Sequence, residues 1–252
     1  MNKFFKSASV VAVVSCLSIV GTIYAISPQE TEAPLSKAPK VVTPGKTPQD
    51  APSDAIVLFD GKNADEWEGT RGNKKFRWNI RDGAMETVRG AGYIQTKKSF
   101  GSCQLHIEWA TPKIVKHNGQ KRGNSGVFLM GKYEIQVLDS YNNRTYPNGQ
   151  AGAVYKQYIP LVNCCKKPGE WQTYDIIFHR PIFDKGGNCI KQATFTVLQN
   201  GVLIQDHVKL SGPTVYIGYP KYKKHADKLP LSLQDHGDPV RYRNIWIREL
   251  KD

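Results

Sequence analysis

The sequence predicts an all-β protein, a sandwich or jelly roll of two antiparallel sheets. Short apolar runs with a period of two recur along the chain, separated by turn dipeptides, of which Asn200-Gly201 is the strongest. No segment carries the apolar period of an amphipathic helix of three turns. The chain holds 22 Gly, 12 Tyr and 5 Trp, a bias toward turns and strands. It also has no repeat period and no Gly-rich phosphate loop. At 252 residues it exceeds the usual single domain, but β-sandwiches of this length occur as one unit.

In chain order, residues 1–25 read as an export signal. Lys3 and Lys6 form a basic head, an apolar run follows Ala8, and Ala25 can end a cleavage site. Two alternatives stand beside cleavage: a retained anchor, and lipidation at Cys16, because Val13-Val14-Ser15-Cys16 resembles a lipobox. Residues 26–54 carry Pro28, Pro34, Pro39, Pro44, Pro48 and Pro52 without apolar periodicity, which predicts a disordered Pro-rich linker. The folded domain is expected over 55–252, with no stable membrane span after signal cleavage and a periplasmic or extracellular location. Within it, 57–59 reads as a short strand and 78–86 as a hairpin around Asp82-Gly83. Residues 103–110, 126–129, 133–138 and 171–178 read as strands. Residues 194–198 and 202–204 flank Asn200-Gly201, and 241–250 close the domain.

Four cysteines follow the signal: Cys103, Cys164, Cys165 and Cys189. Export permits disulfides, and one of the vicinal pair is expected to bond Cys189 or Cys103, since Cys164 and Cys165 cannot bridge each other without strain. No Cys-x-x-Cys spacing calls for zinc, and no cofactor is expected, although the sequence leaves a divalent metal open. The formal net charge is +13. Acidic polysaccharide, anionic membrane and nucleic acid all attract such a chain, but export argues against nucleic acid. The lysines are dispersed (Lys113, Lys116 and Lys121; Lys166 and Lys167; Lys221, Lys223 and Lys224), which favours a solvated basic surface.

Three polar clusters interrupt the apolar strands. Alternation along 133–139 puts Glu134 and Gln136 on one face, and a bulge near Leu138 would turn Asp139 to the same side. Convergent carboxylates suit general acid and base work on a sugar. The structural alternative is that Glu134 pairs with Lys132 or Arg122 and Asp139 caps a turn. His106 and Glu108 share a strand face and would approach Glu134 if that face is the cleft. Gln234-Asp235-His236-Gly237 places an imidazole on a tight turn before the last strand, near Arg243. There is no Gly-x-Ser-x-Gly elbow, and Ser125 has no base at fixed spacing, which argues against a serine hydrolase.

Together these segments resemble the bacterial 3-keto-disaccharide hydrolase domain family, formerly a domain of unknown function. The likeness spans residues 57–250 and rests on Leu58-Phe59-Asp60-Gly61-Lys62-Asn63 with Trp67, on Gly123-Asn124-Ser125-Gly126-Val127-Phe128-Leu129, and on Tyr133-Glu134-Ile135-Gln136-Val137-Leu138-Asp139-Ser140. Gly152-Ala153-Val154-Tyr155, Pro168-Gly169-Glu170-Trp171-Gln172-Thr173-Tyr174, Asn200-Gly201-Val202, and Leu233-Gln234-Asp235-His236-Gly237 with Arg243-Asn244-Ile245 complete it. Each piece is weak alone; their order is specific. Two positions depart from the family pattern: Met130 stands where Arg is frequent, and Lys156 where Gly is frequent.

The resemblance implies a concanavalin A-like jelly-roll sandwich and an oxidised di- or oligosaccharide as substrate. A ketone at sugar C3 acidifies the C2 proton, so a base can start an elimination that water completes as net hydrolysis. Glu134 or His236 is the expected base, with Asp139 as ligand or orienter. Arg122, Asn124, Gln136, Gln234, Arg243, His106 and Glu108 are expected to hold hydroxyls or the oxyanion. A non-catalytic carbohydrate-binding jelly-roll module is the rival reading, since the fold serves both roles. A conventional glucanase ranks last.

Overall fold

The computed structural model describes residues 38–72 and 74–252. In chain order the strands are β1 (Ile56–Phe59), β2 (Trp67–Gly69), β3 (Asn79–Arg81), β4 (Ala84–Glu86), β5 (Ile94–Phe100), β6 (Cys103–Ala110), β7 (Ser125–Leu129) and β8 (Tyr133–Val137). They continue as β9 (Gln172–His179), β10 (Ile182–Phe183), β11 (Cys189–Lys191), β12 (Thr194–Gln199), β13 (Val202–Lys209), β14 (Leu229–Leu233) and β15 (Arg241–Glu249). The larger sheet runs β13-β12-β9-β6-β15-β4-β3, with β1 also on β15; the smaller runs β2-β5-β14-β7-β8; β10 and β11 form a separate ribbon. Every strand pair is antiparallel. The all-β expectation therefore holds, and the architecture is a jelly-roll sandwich of two antiparallel sheets.

Alternation builds the core. Leu105, Ile107 and Trp109 of β6 and Tyr174, Ile176 and Phe178 of β9 point inward from the larger sheet. Val127 and Leu129 of β7 and Tyr133, Ile135 and Val137 of β8 meet them from the smaller one. Tyr133 packs on Phe178 across the gap, their ring centroids 5.5 Å apart. Two tyrosine hydroxyls also cross it. Tyr174 Oη donates to the Gln136 carbonyl at 2.7 Å, and Tyr242 Oη donates to Ser125 Oγ at 2.6 Å. Ser125 Oγ in turn donates to the Gln234 carbonyl at 2.5 Å.

The sequence-predicted hairpins form as expected. Asp82 and Gly83 (φ 51° and 69°) and Asn200 and Gly201 (φ 53° and 80°) adopt the left-handed pairs that two-residue turns require. The sequence pattern does not mark β2, β5, β10, β11 or β14 as strands. Lys97 and Lys98 break the apolar alternation of β5, and Pro230 sits inside β14, where a register irregularity follows it.

The outer face of the larger sheet carries the polar residues of β6. His106 Nδ1 lies 2.7 Å from Asp175 Oδ1, Arg243 Nε donates to Glu108 Oε2 at 2.6 Å, and Asn244 Nδ2 donates to Glu108 Oε1 at 2.9 Å. Part of the segment read as linker packs here. The Gln49 carbonyl accepts from Asn244 Nδ2 and Trp246 Nε1 at 3.0 and 2.8 Å, and Asp54 pairs with both Nε and NH2 of Arg248. The signal segment and the rest of the linker up to residue 37 lie outside the described residues. Among the described residues no helix is long and apolar enough to cross a membrane.

All four cysteines are free thiols, so the disulfide expectation fails. Cys103 is sealed in the core, where burial pushes its thiol up to about 12. Cys189 stands on the β10–β11 ribbon, and the vicinal pair sits beside Gln199, whose carbonyl accepts from Cys164 Sγ.

The His106 network predicts a pH dependence of stability. Burial opposes protonation of His106, but hydrogen bonds and charge from Asp175 and Glu108 outweigh it and hold the imidazole up to about 9, against an ordinary 6.5. Its contribution is therefore full below the ordinary value and is lost as pH rises through about 9. Urea unfolding of wild type and His106→Gln should show wild type ahead at about pH 6 and the gap closing by about pH 9. A gap independent of pH would remove His106 from this role.

Candidate active site

The outer face of the smaller sheet holds a cavity of about 290 Å³. Its floor is β8. Tyr133, Ile135 and Val137 face the core, so Glu134 and Gln136 must face outward into the cavity. The strand is an edge, and two loops cover it. Gln136 N–H donates to the Ala153 carbonyl at 3.0 Å, and Gly152 N–H returns a bond to the Gln136 carbonyl at 2.9 Å. On the neighbouring stretch, Glu134 N–H donates to Thr214 Oγ1 at 3.0 Å. The edge is thereby closed to other strands, and Tyr155, Thr214 and Tyr216 become the cavity wall.

Glu134 is 4% exposed. Burial alone pushes its carboxyl up to about 8, with no cation offsetting the shift. Room for it comes from Gly126 on β7, which pairs with Gln136. A Cβ at Gly126 would sit 2.6 Å from Glu134 Oε1 and 2.8 Å from the Phe128 ring. With its carboxamide turned so that nitrogen meets acceptors, Gln136 donates to Glu134 Oε1 at 3.0 Å and to the Ser125 carbonyl at 3.2 Å.

Gln234, the residue after β14, lines the same cavity. Its Nε2 donates to Tyr93 Oη at 2.6 Å, while its Oε1 is buried without a partner. Tyr93 Oη accepts that bond and keeps its own hydrogen to donate. Burial raises its phenol, so it stays protonated near neutrality. His236 lies at the exposed rim on a turn pinned by Asp235, whose carboxylate accepts from Gly92 N–H at 3.0 Å and Gly237 N–H at 2.9 Å. Gly237 has φ +94°, a left-handed conformation that this turn needs. Asn124 completes the wall, its Nδ2 donating to the Gln120 carbonyl at 2.7 Å.

The structure thus gathers Glu134, Gln136, Asn124, Gln234 and His236. It separates the others. Strand β8 ends at Val137, and no bulge turns Asp139 back. Asp139 instead takes Arg122 Nε at 2.6 Å and Tyr141 N–H at 3.1 Å, and both members of that ion pair line a neighbouring cavity. The expected approach of Glu108 to Glu134 does not occur. His106, Glu108 and Arg243 stand on the far side of the opposite sheet because their alternate neighbours Leu105, Ile107 and Trp109 fill the core. Glu134 pairs with neither Lys132 nor Arg122.

Tyr93, Phe128, Tyr155, Thr214 and Tyr216 were not anticipated. Two of them had a signal, Tyr155 at the end of Gly152-Ala153-Val154-Tyr155 and Phe128 within Gly123-Asn124-Ser125-Gly126-Val127-Phe128-Leu129. The unusual Lys156 keeps a glycine-like φ of +62° and sets its ammonium 3.9 Å from the Tyr146 ring centroid. Tyr146 Oη lies 2.7 Å from Tyr155 Oη. Among the described residues no group of three or more His, Cys, Asp or Glu side chains comes together to hold a metal ion.

The family model for the 3-keto-alpha-glucoside-1,2-lyase-like domain matches residues 54–248. A Bacteroides thetaiotaomicron protein named 3-keto-disaccharide hydrolase is 25% identical over 248 residues, covering 77% of this chain and 78% of its own. A crystal structure of a candidate glycosyl hydrolase from Parabacteroides distasonis is 50% identical with a TM-score of 0.81, over 85% of this chain and 93% of that one. A second structure from the same organism, 19% identical with a TM-score of 0.59 over 84% of this chain and 100% of that one, shares the fold.

Gly126→Ala tests the packing around Glu134. The added methyl should drive the carboxylate toward solvent and lower its midpoint from about 8 toward the ordinary carboxylate range, read by NMR titration of the Glu134 carboxyl carbon. An unchanged midpoint would show that Gly126 does not make the space.

Proposed function

We propose, on the premise that this chain belongs to the 3-keto-alpha-glucoside-1,2-lyase-like domain family, that it cleaves the glycosidic bond of 3-keto-disaccharides by elimination followed by hydration. The protein is an enzyme of the hydrolase and lyase type. The observation that carries the substrate and mechanism is Glu134: a carboxyl 4% exposed, without a cation, whose proton affinity burial has brought close to neutrality.

The steps follow from sugar chemistry. Glu134 takes the C2 proton of the oxidised ring, and the electron pair left behind forms the C2–C3 enolate, with charge on the former ketone oxygen. That charge needs a donor in place before reaction, because fixed dipoles in a dry site stabilise it without reorganisation. Tyr93 is suited to this role, since its hydroxyl accepts from Gln234 and so points its own hydrogen elsewhere. The enolate then expels the C1 oxygen, which His236 at the rim protonates. The product is a C1–C2 double bond conjugated to the ketone. Water adds across it, hydroxyl to C1 and hydrogen to C2, and the net change is hydrolysis. Gln136 holds Glu134, and Gln234 Oε1 and Asn124 accept sugar hydroxyls. We also propose export to the periplasm or exterior, on the signal-like N-terminus.

Turnover of a 3-keto-glucoside tests this. Glu134→Gln should lose roughly 10²–10⁴-fold in kcat, the usual worth of a placed base. His236→Ala should lose less when the leaving group is acidic enough to depart unprotonated. Near wild-type rates in both variants would end the assignment. Because the base must be ionised, wild-type kcat/KM on a substrate whose leaving group departs unprotonated should rise with pH and level off above about 8. A profile flat from about pH 6 to 9 would show that another group takes the proton.

A further inference from the structure

A second, larger cavity of about 780 Å³ adjoins the candidate active site. The two share a wall. Consecutive residues divide between them: Asn124 lines the smaller cavity and Gly123 the larger, and likewise His236 and Gly237. Asn124 N–H donates to Asp238 Oδ2 at 3.0 Å, which ties the two halves of that wall together. The two cavities therefore meet at Asn124 and His236, the side toward which a ligand longer than one sugar ring would extend.

Its charge is unbalanced. Seven Lys and Arg side chains line it against four carboxylates. Three of those carboxylates are already engaged: Glu86 with Arg81 at 2.5 Å, Asp139 with Arg122 at 2.6 Å, and Asp238 with the Asn124 amide. Among the described residues Lys113, Lys116 and Lys121 have no such partner, and Arg89 is directed at a carbonyl, that of Gly237, at 3.2 Å. Between the lysines, Ile114 and Val115 stand 73% and 45% exposed. A wall both apolar and basic matches the two faces of an acidic sugar, its C–H surface and its carboxylate.

We propose that this cavity binds the leaving half of the substrate and selects an acidic saccharide there, a uronic acid with its carboxylate among Lys113, Lys116, Lys121 and Arg89. The assignment rests on the keto-glycoside reading for the identity of the first ring, but its recognition chemistry is independent of turnover. The probe is a glucosyl-glucuronic acid disaccharide, unoxidised so that no reaction occurs, compared with its methyl ester by calorimetric titration. Wild type should bind the acid at least roughly ten-fold more tightly than the ester at low ionic strength. The preference should fall toward unity at about 0.5 M salt, and in the combined Lys113→Gln, Lys116→Gln, Lys121→Gln variant at low salt. Equal binding of acid and ester by wild type would overturn the proposal, as would a preference that survives in the triple variant. Glu134→Gln should retain the acid preference, so a wrong base and a wrong subsite give different results.

Discussion

The candidate site depends on two hydroxyl groups that cross the core. Glu134 and Gln136 stand on an edge strand, the least restrained position in a sheet. Tyr174 reaches over from the larger sheet and takes the Gln136 carbonyl, and Tyr242 takes Ser125, which in turn holds Gln234. Both phenols are fully buried, and neither has water to fall back on, so each bond is costly to lose. The larger sheet thus grips β7, β8 and the end of β14 from beneath, and their opposite faces are presented as one rigid surface.

On that surface one carboxylate is treated differently from the rest. Glu108 and Asp139 are buried too, but each was given cations and donors. Burial raises Glu108, yet His106, Asn244 and Arg243 bring it down to about 2. Burial likewise raises Asp139, with Arg122 pulling against it. Glu134 has an amide neighbour and a glycine-shaped hollow, and burial carries it to about 8. Identical chemistry thereby splits into acids held by cations and one acid without a cation, by surroundings alone.

That split explains what the sequence could and could not show. Alternation along 133–137 correctly put Glu134 and Gln136 on one face, because strand period is a local property. It could not say which of Glu134, Asp139 and Glu108 would keep a cation, because Arg122 arrives from the loop before β7 and Arg243 from β15. It placed Glu108 near Glu134 only by assuming that both polar faces meet, whereas in a sandwich the two polar faces point apart. The aromatic wall was hidden for a related reason: Tyr93, Tyr155 and Tyr216 come from loops with no periodicity, and only folding sets them around one carboxyl. Pro230 shows the converse, a residue that argues against a strand locally and is tolerated where the register already slips.

The seat of Gln49 and Asp54 on the outer face of the larger sheet has a mechanical meaning. The chain enters this domain at its back, while the cleft opens at the front, on the other sheet. A pull applied ahead of Gln49 would load Asn244, Trp246 and Arg248, residues of β15 that lie in the middle of the larger sheet. It would reach β8 only through the packed core. The contacts of Gln49 and Asp54 and the geometry around Glu134 are thus kept on opposite faces of the sandwich, with the packed core between them.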